Sequence, residues 1–174
     1  KQETLDYISS DILFNHEKLF YLMQKKDSWC NTTAYPVESI FWEGKKYSRI
    51  DAATILFFKI KRYLADTIQK SEGNIIRATK SVNKHFKMKN DFPIFMAITD
   101  IAWFRPDIIN PASPVPTGIG AVAFLDRLQS YLGMDSHELT CEKMIELQKE
   151  YWPDAKRTFH PIDIEYLSCE CRKY

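Results

Sequence analysis

The sequence predicts an all-α protein, and three features carry that prediction. Apolar residues recur at helical spacing, capping residues precede most of the apolar runs, and Pro or Gly fills the gaps between them. No convincing period-two stretch and no internal repeat is present, so about seven or eight helices are expected. A short strand pair near residues 41–47 is the expected exception.

In chain order, residues 3–26 place Leu5, Ile8, Ile12, Leu13, Leu19, Phe20, Leu22 and Met23 at helical spacing, and Asn15-His16 divides them into two short helices. Residues 27–46 hold Pro36 and Gly44 and read as a connection with one helical turn near residues 37–42. Ser48 and Asp51 form a capping box ahead of a nearly continuous apolar run at residues 50–68, the expected central buried helix. After a break at residues 71–74, Asn74 caps a helix over residues 75–86. Asp91 is the expected cap of the next helix, which runs through Trp103 and is ended by Arg105-Pro106. Residues 110–116 contain three prolines and exclude helix or central strand. Thr117 is read as the cap of a helix over residues 121–132, which Gly133 stops. Asp135 with Glu138 opens a helix to about Tyr151, and Pro161 opens a last one through Cys171.

The chain of 174 residues is 45% hydrophobic and 14% aromatic, enough for one core. A single domain over residues 1–174 is expected, with residues 1–47 as an N-terminal helical segment and residues 48–174 as the core. The formal charge of +1 leaves any nucleic-acid reading to local patches. Such a patch exists: between Gly73 and Asn90 stand Arg77, Lys80, Lys84, His85, Lys87 and Lys89 with no acidic residue. These cations suit a phosphate backbone, or simply a solvated helix face. No run of about 18 apolar residues occurs, so no membrane contact is expected. Cys30, Cys141, Cys169 and Cys171 form neither a disulfide framework nor a zinc spacing, and the four histidines show no ligand spacing. No metal and no cofactor are expected, and an intracellular setting is. The Asn31-Thr32-Thr33 triplet fits a glycosylation pattern with no signal peptide ahead of it and is read as accidental.

Two further features point to a site. Asp100 is a single carboxylate in the apolar run of residues 92–104; it is either exposed at the helix end or paired with Arg105, or else functional, as a base or as a stabiliser of positive charge. Gly118 and Gly120 follow the proline-rich turn, where successive backbone N–H groups suit an anion, with Arg127 as an added phosphate contact. The same glycines serve equally to let two helices approach closely.

Three ordered blocks carry a resemblance: Phe92-x-x-Phe95-Met96-x-x-x-Asp100-Ile101; Pro114 to Ala121 (PVPTGIGA); and Asp163-Ile164-Glu165-Tyr166-x-x-Cys169-Glu170-x-x-Lys173-Tyr174. With these blocks the chain resembles the alpha-glutamyl/putrescinyl thymine pyrophosphorylases, which are related to the helical domain of 5-hydroxymethyluracil DNA kinases. The likeness covers about half of the chain, mainly residues 85–174. It implies a helical DNA-glycosylase-like bundle of the helix-hairpin-helix kind, with a deep cleft that grips DNA and presents an extruded modified pyrimidine for base modification or excision. Asp100 would then be the catalytic carboxylate. Phe92, Phe95, Met96, Glu165, Cys169 and Lys173 would line or brace the substrate pocket. Lys84, Lys87, Lys89, Thr117, Gly118, Gly120 and Arg127 would contact nucleic acid.

The family's glycine hairpin before the aspartate helix is replaced here by residues 87–91 (KMKND), which shifts phosphate contact from backbone N–H groups to lysine side chains. From that departure follows the alternative reading, a non-catalytic helical module that binds nucleic acid or a protein partner within a larger assembly. An exposed apolar patch near residues 29–42 or 151–152 would accompany it. The expected partners are DNA, or a protein partner or fused domain. The expected location is the cytoplasm of a phage or bacterial host, or the nucleus of a eukaryote.

Overall fold

A computed structural model describes Glu17, residues 39–48 and residues 51–171. The helices expected in residues 3–26, the glycosylation triplet, Cys30, Trp29 and Lys173 lie outside the described residues. Within them the protein is mostly helical, with six α-helices and one antiparallel strand pair.

The strand pair is β1 (Ile40–Trp42) and β2 (Lys45–Tyr47), in register Ile40 to Tyr47. A helical turn was the expectation over part of β1. Glu43 and Gly44 both take positive φ, 47° and 77°, and this two-residue turn folds the chain back on itself. Ile40 and Tyr47 thereby bury on one face while Phe41, Lys45 and Lys46 face solvent.

The expected Ser48–Asp51 capping box forms: the Ser48 hydroxyl donates to Asp51 Oδ2 at 2.7 Å, and the Asp51 N–H donates to Ser48 Oγ at 3.1 Å. A π-helical stretch, Ala52–Leu56, then leads into α1 (Phe57–Gln69). Its apolar run led to the expectation of the central buried helix, but within α1 only Ile60 is buried, and Tyr63 is 39% exposed. That place falls to α3 (Phe92–Phe104), which buries Ile94, Phe95, Ile98, Thr99 and Ala102.

Between them, α2 (Ile75–Phe86) starts on Asn74, whose Oδ1 accepts the Arg77 N–H at 2.8 Å. For α3 the expected cap fails. Asp91 makes no side-chain cap bond, and Asn90 Oδ1 instead accepts the Phe92 N–H at 3.0 Å. Pro93 offers no N–H, and the Ile94 N–H already reaches the Asp91 carbonyl at 2.9 Å, so the Asp91 carboxylate has little to cap.

The proline-rich segment crosses back and is pinned to the start of α2. The Asn110 N–H donates to the Gly73 carbonyl at 2.8 Å and the Ile75 N–H to Ser113 Oγ at 3.0 Å. Next come α4 (Val122–Leu132), α5 (His137–Tyr151) and α6 (Pro161–Cys171). Gly133, at φ 64°, ends α4 as expected. The cap of α5 is Ser136, not Asp135, with Ser136 Oγ accepting the Leu139 N–H at 3.2 Å.

Two apolar clusters result. The hairpin, α1, α2 and α3 enclose one around Leu56, Ile75, Phe95 and Ile98; α4, α5 and α6 enclose the other around Leu125, Cys141 and Ile164. Helix α6 joins them, since Ile162 belongs to the first and Ile164 to the second. Two polar residues of α6, Glu165 and Ser168, are buried with them.

Candidate functional site

Glu165 is the carboxylate held in the interior. It sits on α6 at the join of the two clusters and is 2% exposed. The Gly118 N–H donates to Glu165 Oε1 at 3.0 Å, while Glu165 Oε2 is buried with no hydrogen-bond partner. Burial pushes the Glu165 carboxyl above its ordinary range, and the Gly118 N–H offsets this only in part.

Gly118 and Gly120 make this geometry. A Cβ on Gly118 would come within 2.7 Å of Glu165 Oε1 and 3.1 Å of Phe92 Cε2, and one on Gly120 would overlap Cys169 Sγ. Both glycines therefore allow close approach of the turn to α6 and α3. Their expected phosphate role meets an obstacle, because the Gly118 N–H is consumed inside the protein. The helix begins at Val122, close to the expected residue 121, and the glycines lie in the turn before it.

Thr117 is not a helix cap. Its Oγ1 lies 3.1 Å from His137 Nδ1, and His137 Nε2 lies 2.8 Å from Asp126 Oδ1. A chain of hydrogen bonds thus runs from the proline-rich segment through α5 to α4.

The three sequence blocks do converge. Phe92 stacks at 5.7 Å from Phe95 beneath Gly118, the Tyr166 hydroxyl donates to Met96 Sδ at 3.2 Å, and Cys169 packs against Gly120. What converges is mainly packing: Phe95 is 1% exposed and fills the core.

Asp100, by contrast, projects from the exposed side of α3 and lines none of the three described cavities. The apolar character of α3 led to the expectation of a pocket carboxylate. The helix has room for one solvated position, and Asp100 takes it.

One cavity, of about 520 Å³, lies between the proline-rich segment, α4, α5 and α6, with Glu165, Thr117, His137, Cys141 and Phe159 in its lining. Burial, then the charges of Glu165, Glu142 and Glu138, push the Cys141 thiol up to about 11, so it is no thiolate nucleophile at neutral pH. A second cavity, of about 670 Å³, lies among α1, α2 and α3 and is almost wholly apolar. No group of His, Cys, Asp or Glu suited to a metal ion occurs among the described residues.

The expected cationic residues form a surface. Lys80, Lys84, Lys87 and Lys89 are all exposed, and Arg77 is exposed and paired with Glu72. Beside them an aromatic cluster joins three elements: Trp42 of β1 lies 5.1 Å from Tyr63 of α1, edge to face, and Tyr63 lies 5.0 Å from the ring of His85 of α2. The Tyr63 hydroxyl is 3.0 Å from His85 Nδ1. Lys45 and Lys46 of β2 and Lys59 and Arg62 of α1 are also exposed, as are Glu43 of the hairpin turn and Asp66 of α1. Sequence alone missed Trp42 and Tyr63, which lie far from the basic run in the chain. Arg127 is exposed on α4.

At the N-terminal end of α6, Arg157 forks onto Asp163 at 2.7 and 2.8 Å and lies 4.8 Å over the Trp103 ring. Tyr151 and Trp152, within the expected apolar patch, are 76% and 54% exposed. No helix among the described residues is long and apolar enough to cross a membrane.

Stability should report on Glu165 through pH. Its folded pKa is raised, so its contribution is fully present below the ordinary value of 4.5 and is lost as pH rises through the folded value. Asp163 acts in the opposite sense and in a lower window. Burial pushes it up, the Arg157 hydrogen bond and the His160 N–H outweigh that, and the net lowering is felt only below about 3.8. Urea midpoints measured from pH 4 to pH 8 are expected to fall more for the native chain than for Glu165→Gln; parallel curves would refute a raised carboxyl.

Comparison with protein-family models, curated proteins and solved structures finds no match to this chain.

Proposed function

We propose that this chain is a helical nucleic-acid-binding module whose contact surface is the basic, aromatic face made by the hairpin, α1 and α2. The observation that carries this reading is the Trp42–Tyr63–His85 cluster, built from the hairpin, α1 and α2, each of which also carries exposed lysines. Lysine side chains neutralise phosphates and release counterions, while ring faces offer sequence-tolerant stacking for unpaired bases. The absence of any acidic residue between Gly73 and Asn90 keeps the α2 side of this face attractive to a polyanion. DNA is the partner that the family resemblance favours, and a glycosylase-like bundle is the architecture it suggests.

Base modification or excision on an extruded pyrimidine is the second reading. Glu165 favours it, since a buried carboxyl beside a cavity suits acid-base work in the role that the sequence suggested for Asp100. Glu138, Glu142 and Glu146 along the same cavity weigh against it, because they repel the phosphates on either side of a flipped nucleotide.

Fluorescence anisotropy with single-stranded and duplex DNA, carrying thymine, 5-hydroxymethyluracil or an abasic site, tests both. The binding reading predicts saturable affinity that falls with salt, log K dropping by roughly 0.9 per log unit of salt for each duplex phosphate contacted. No salt-dependent binding to any DNA would overturn it. Mass spectrometry of the same samples reads the enzyme: an altered or released base promotes the second reading, and an unchanged base rejects it for these substrates.

A further inference from the structure

Helices α1 and α3 each pack on α2 and present matching stripes to the space between them. Phe57, Lys61, Leu64 and Ile68 share one face of α1, and Ile94, Ile98, Ile101 and Arg105 one face of α3, both at helical spacing. The cavity of about 670 Å³ runs between these stripes, with Val82 and Phe86 of α2 also in its lining. That volume falls within the roughly 300–1,000 Å³ of small-molecule sites. Trp42, Tyr63 and His85 do not line it, so the cavity is separate from the aromatic cluster of the DNA-binding face.

Exposure grades across the cavity. Val82, Phe86, Ile94 and Ile98 are buried, Leu64, Ile68 and Ile101 are half-buried, and Lys61, Gln69 and Arg105 are exposed, as are Ala65 and Ala97. The walls are thus mainly aliphatic, and the polar groups stand at the opening. Among the described residues no acid lines the cavity, and Lys61, Gln69 and Arg105 all carry N–H donors. Arg105 already forks onto Asp107 at 2.8 and 2.7 Å, whereas Lys61 enters no ion pair among the described residues.

A long aliphatic space with one uncommitted cation at its opening matches a ligand with an apolar chain and a single anionic end. We infer that this cavity binds a free fatty acid, its chain laid between the α1 and α3 stripes and its carboxylate at the Lys61 ammonium. Burial of the chain supplies most of the affinity, about fourfold for each methylene removed from water. The ion contact at the rim selects the head group and adds less. From Phe57 to Ile68 the α1 stripe is roughly 16 Å long at the rise of an α-helix, which bounds the chain length that gains from burial.

Isothermal titration of the full chain with octanoate, decanoate and dodecanoate, and with decanol and decyltrimethylammonium, tests the inference. Saturable binding that tightens by about fourfold per methylene along the carboxylate series is expected, with decanoate tighter than both the alcohol and the cation. Lys61→Glu, at an exposed position, should weaken decanoate severalfold at low salt and less at high salt, and leave decanol unchanged. Ala97→Trp, also at an exposed position in the lining, fills the space between the helices and should weaken decanoate and decanol alike by roughly tenfold or more. The inference is overturned by no saturable binding of dodecanoate up to about 1 mM. It is equally overturned by decanol or decyltrimethylammonium binding as tightly as decanoate, or by decanoate affinity unchanged in Lys61→Glu or in Ala97→Trp. Should Ala97→Trp not fold, Lys61→Glu decides alone.

Discussion

Gly120→Ala is expected to destabilise the protein by about 1–3 kcal/mol, the range typical of overpacking a close contact. The new methyl would overlap Cys169 Sγ, and Cys169 is attached to α6, whose neighbouring residues Ile164 and Glu165 are buried. Neither side can retreat cheaply. Cys169→Ala on its own removes a half-buried sulfur and costs less, and adding it to Gly120→Ala should recover much of the loss. A double-mutant cycle on urea midpoints is therefore expected to show coupling on the order of 1 kcal/mol or more. Strictly additive effects would mean that the turn and α6 do not meet as described. Gly118→Ala should be at least as costly, because its methyl would press on a carboxylate oxygen 2.7 Å away that is already bonded to the same residue's N–H.

The largest effect on binding is expected from reversing charge on α2 and the segment after it. Lys80→Glu, Lys84→Glu and Lys89→Glu together replace three exposed cations in a stretch that contains no acid. Affinity for DNA at low salt should fall on the order of 100-fold, and the salt slope should shrink by about one unit per phosphate contact removed. The fold should survive, since all three side chains are exposed; Lys84 lies in the last turn of α2, where a lost cation costs about 0.3–1 kcal/mol. A circular dichroism spectrum and urea midpoint close to native, with DNA binding lost, would isolate the electrostatic effect. Affinity within twofold of native would remove this face from the interface. Tyr63→Ala is the complement: it should reduce affinity for single strands more than for duplex, because stacking needs an unpaired base.

The helices were legible because their signals are local. Asn74, Gly133 and the Ser48–Asp51 pair act within one turn of the residues they cap or stop, and each does so here. The caps misjudged were those with a close competitor. Asp91 lost to Asn90, and Asp135 to Ser136, one residue away and decided by backbone direction rather than residue type. The hairpin was seen and also mistaken for part of a helical turn, because two three-residue strands carry almost no periodicity.

The site was legible only as a set of blocks. The family resemblance grouped residues 92–101, 114–121 and 163–174, and the described parts of all three meet around Gly118 and Gly120. For Asp100 the sequence left an exposed and a functional position both open, and it did not single out Glu165 as the interior acid. Asp100 stands in an apolar run and is exposed, while Glu165, in a more mixed stretch, is buried. Composition along a helix gives its average environment. The direction of one side chain depends on which neighbour packs against that face.

The sequence by itself thus determined the helical class, the approximate ends of most elements and the basic character of α2. Each of these follows from interactions within a few residues, or from charge that no packing can remove. Only the tertiary structure decided that the two glycines admit the close approach of α6, that Glu165 is buried with one oxygen on the Gly118 N–H, and that Trp42 and Tyr63 join His85. Those facts depend on contacts between residues 20 to 50 positions apart, which chain-local propensity does not encode.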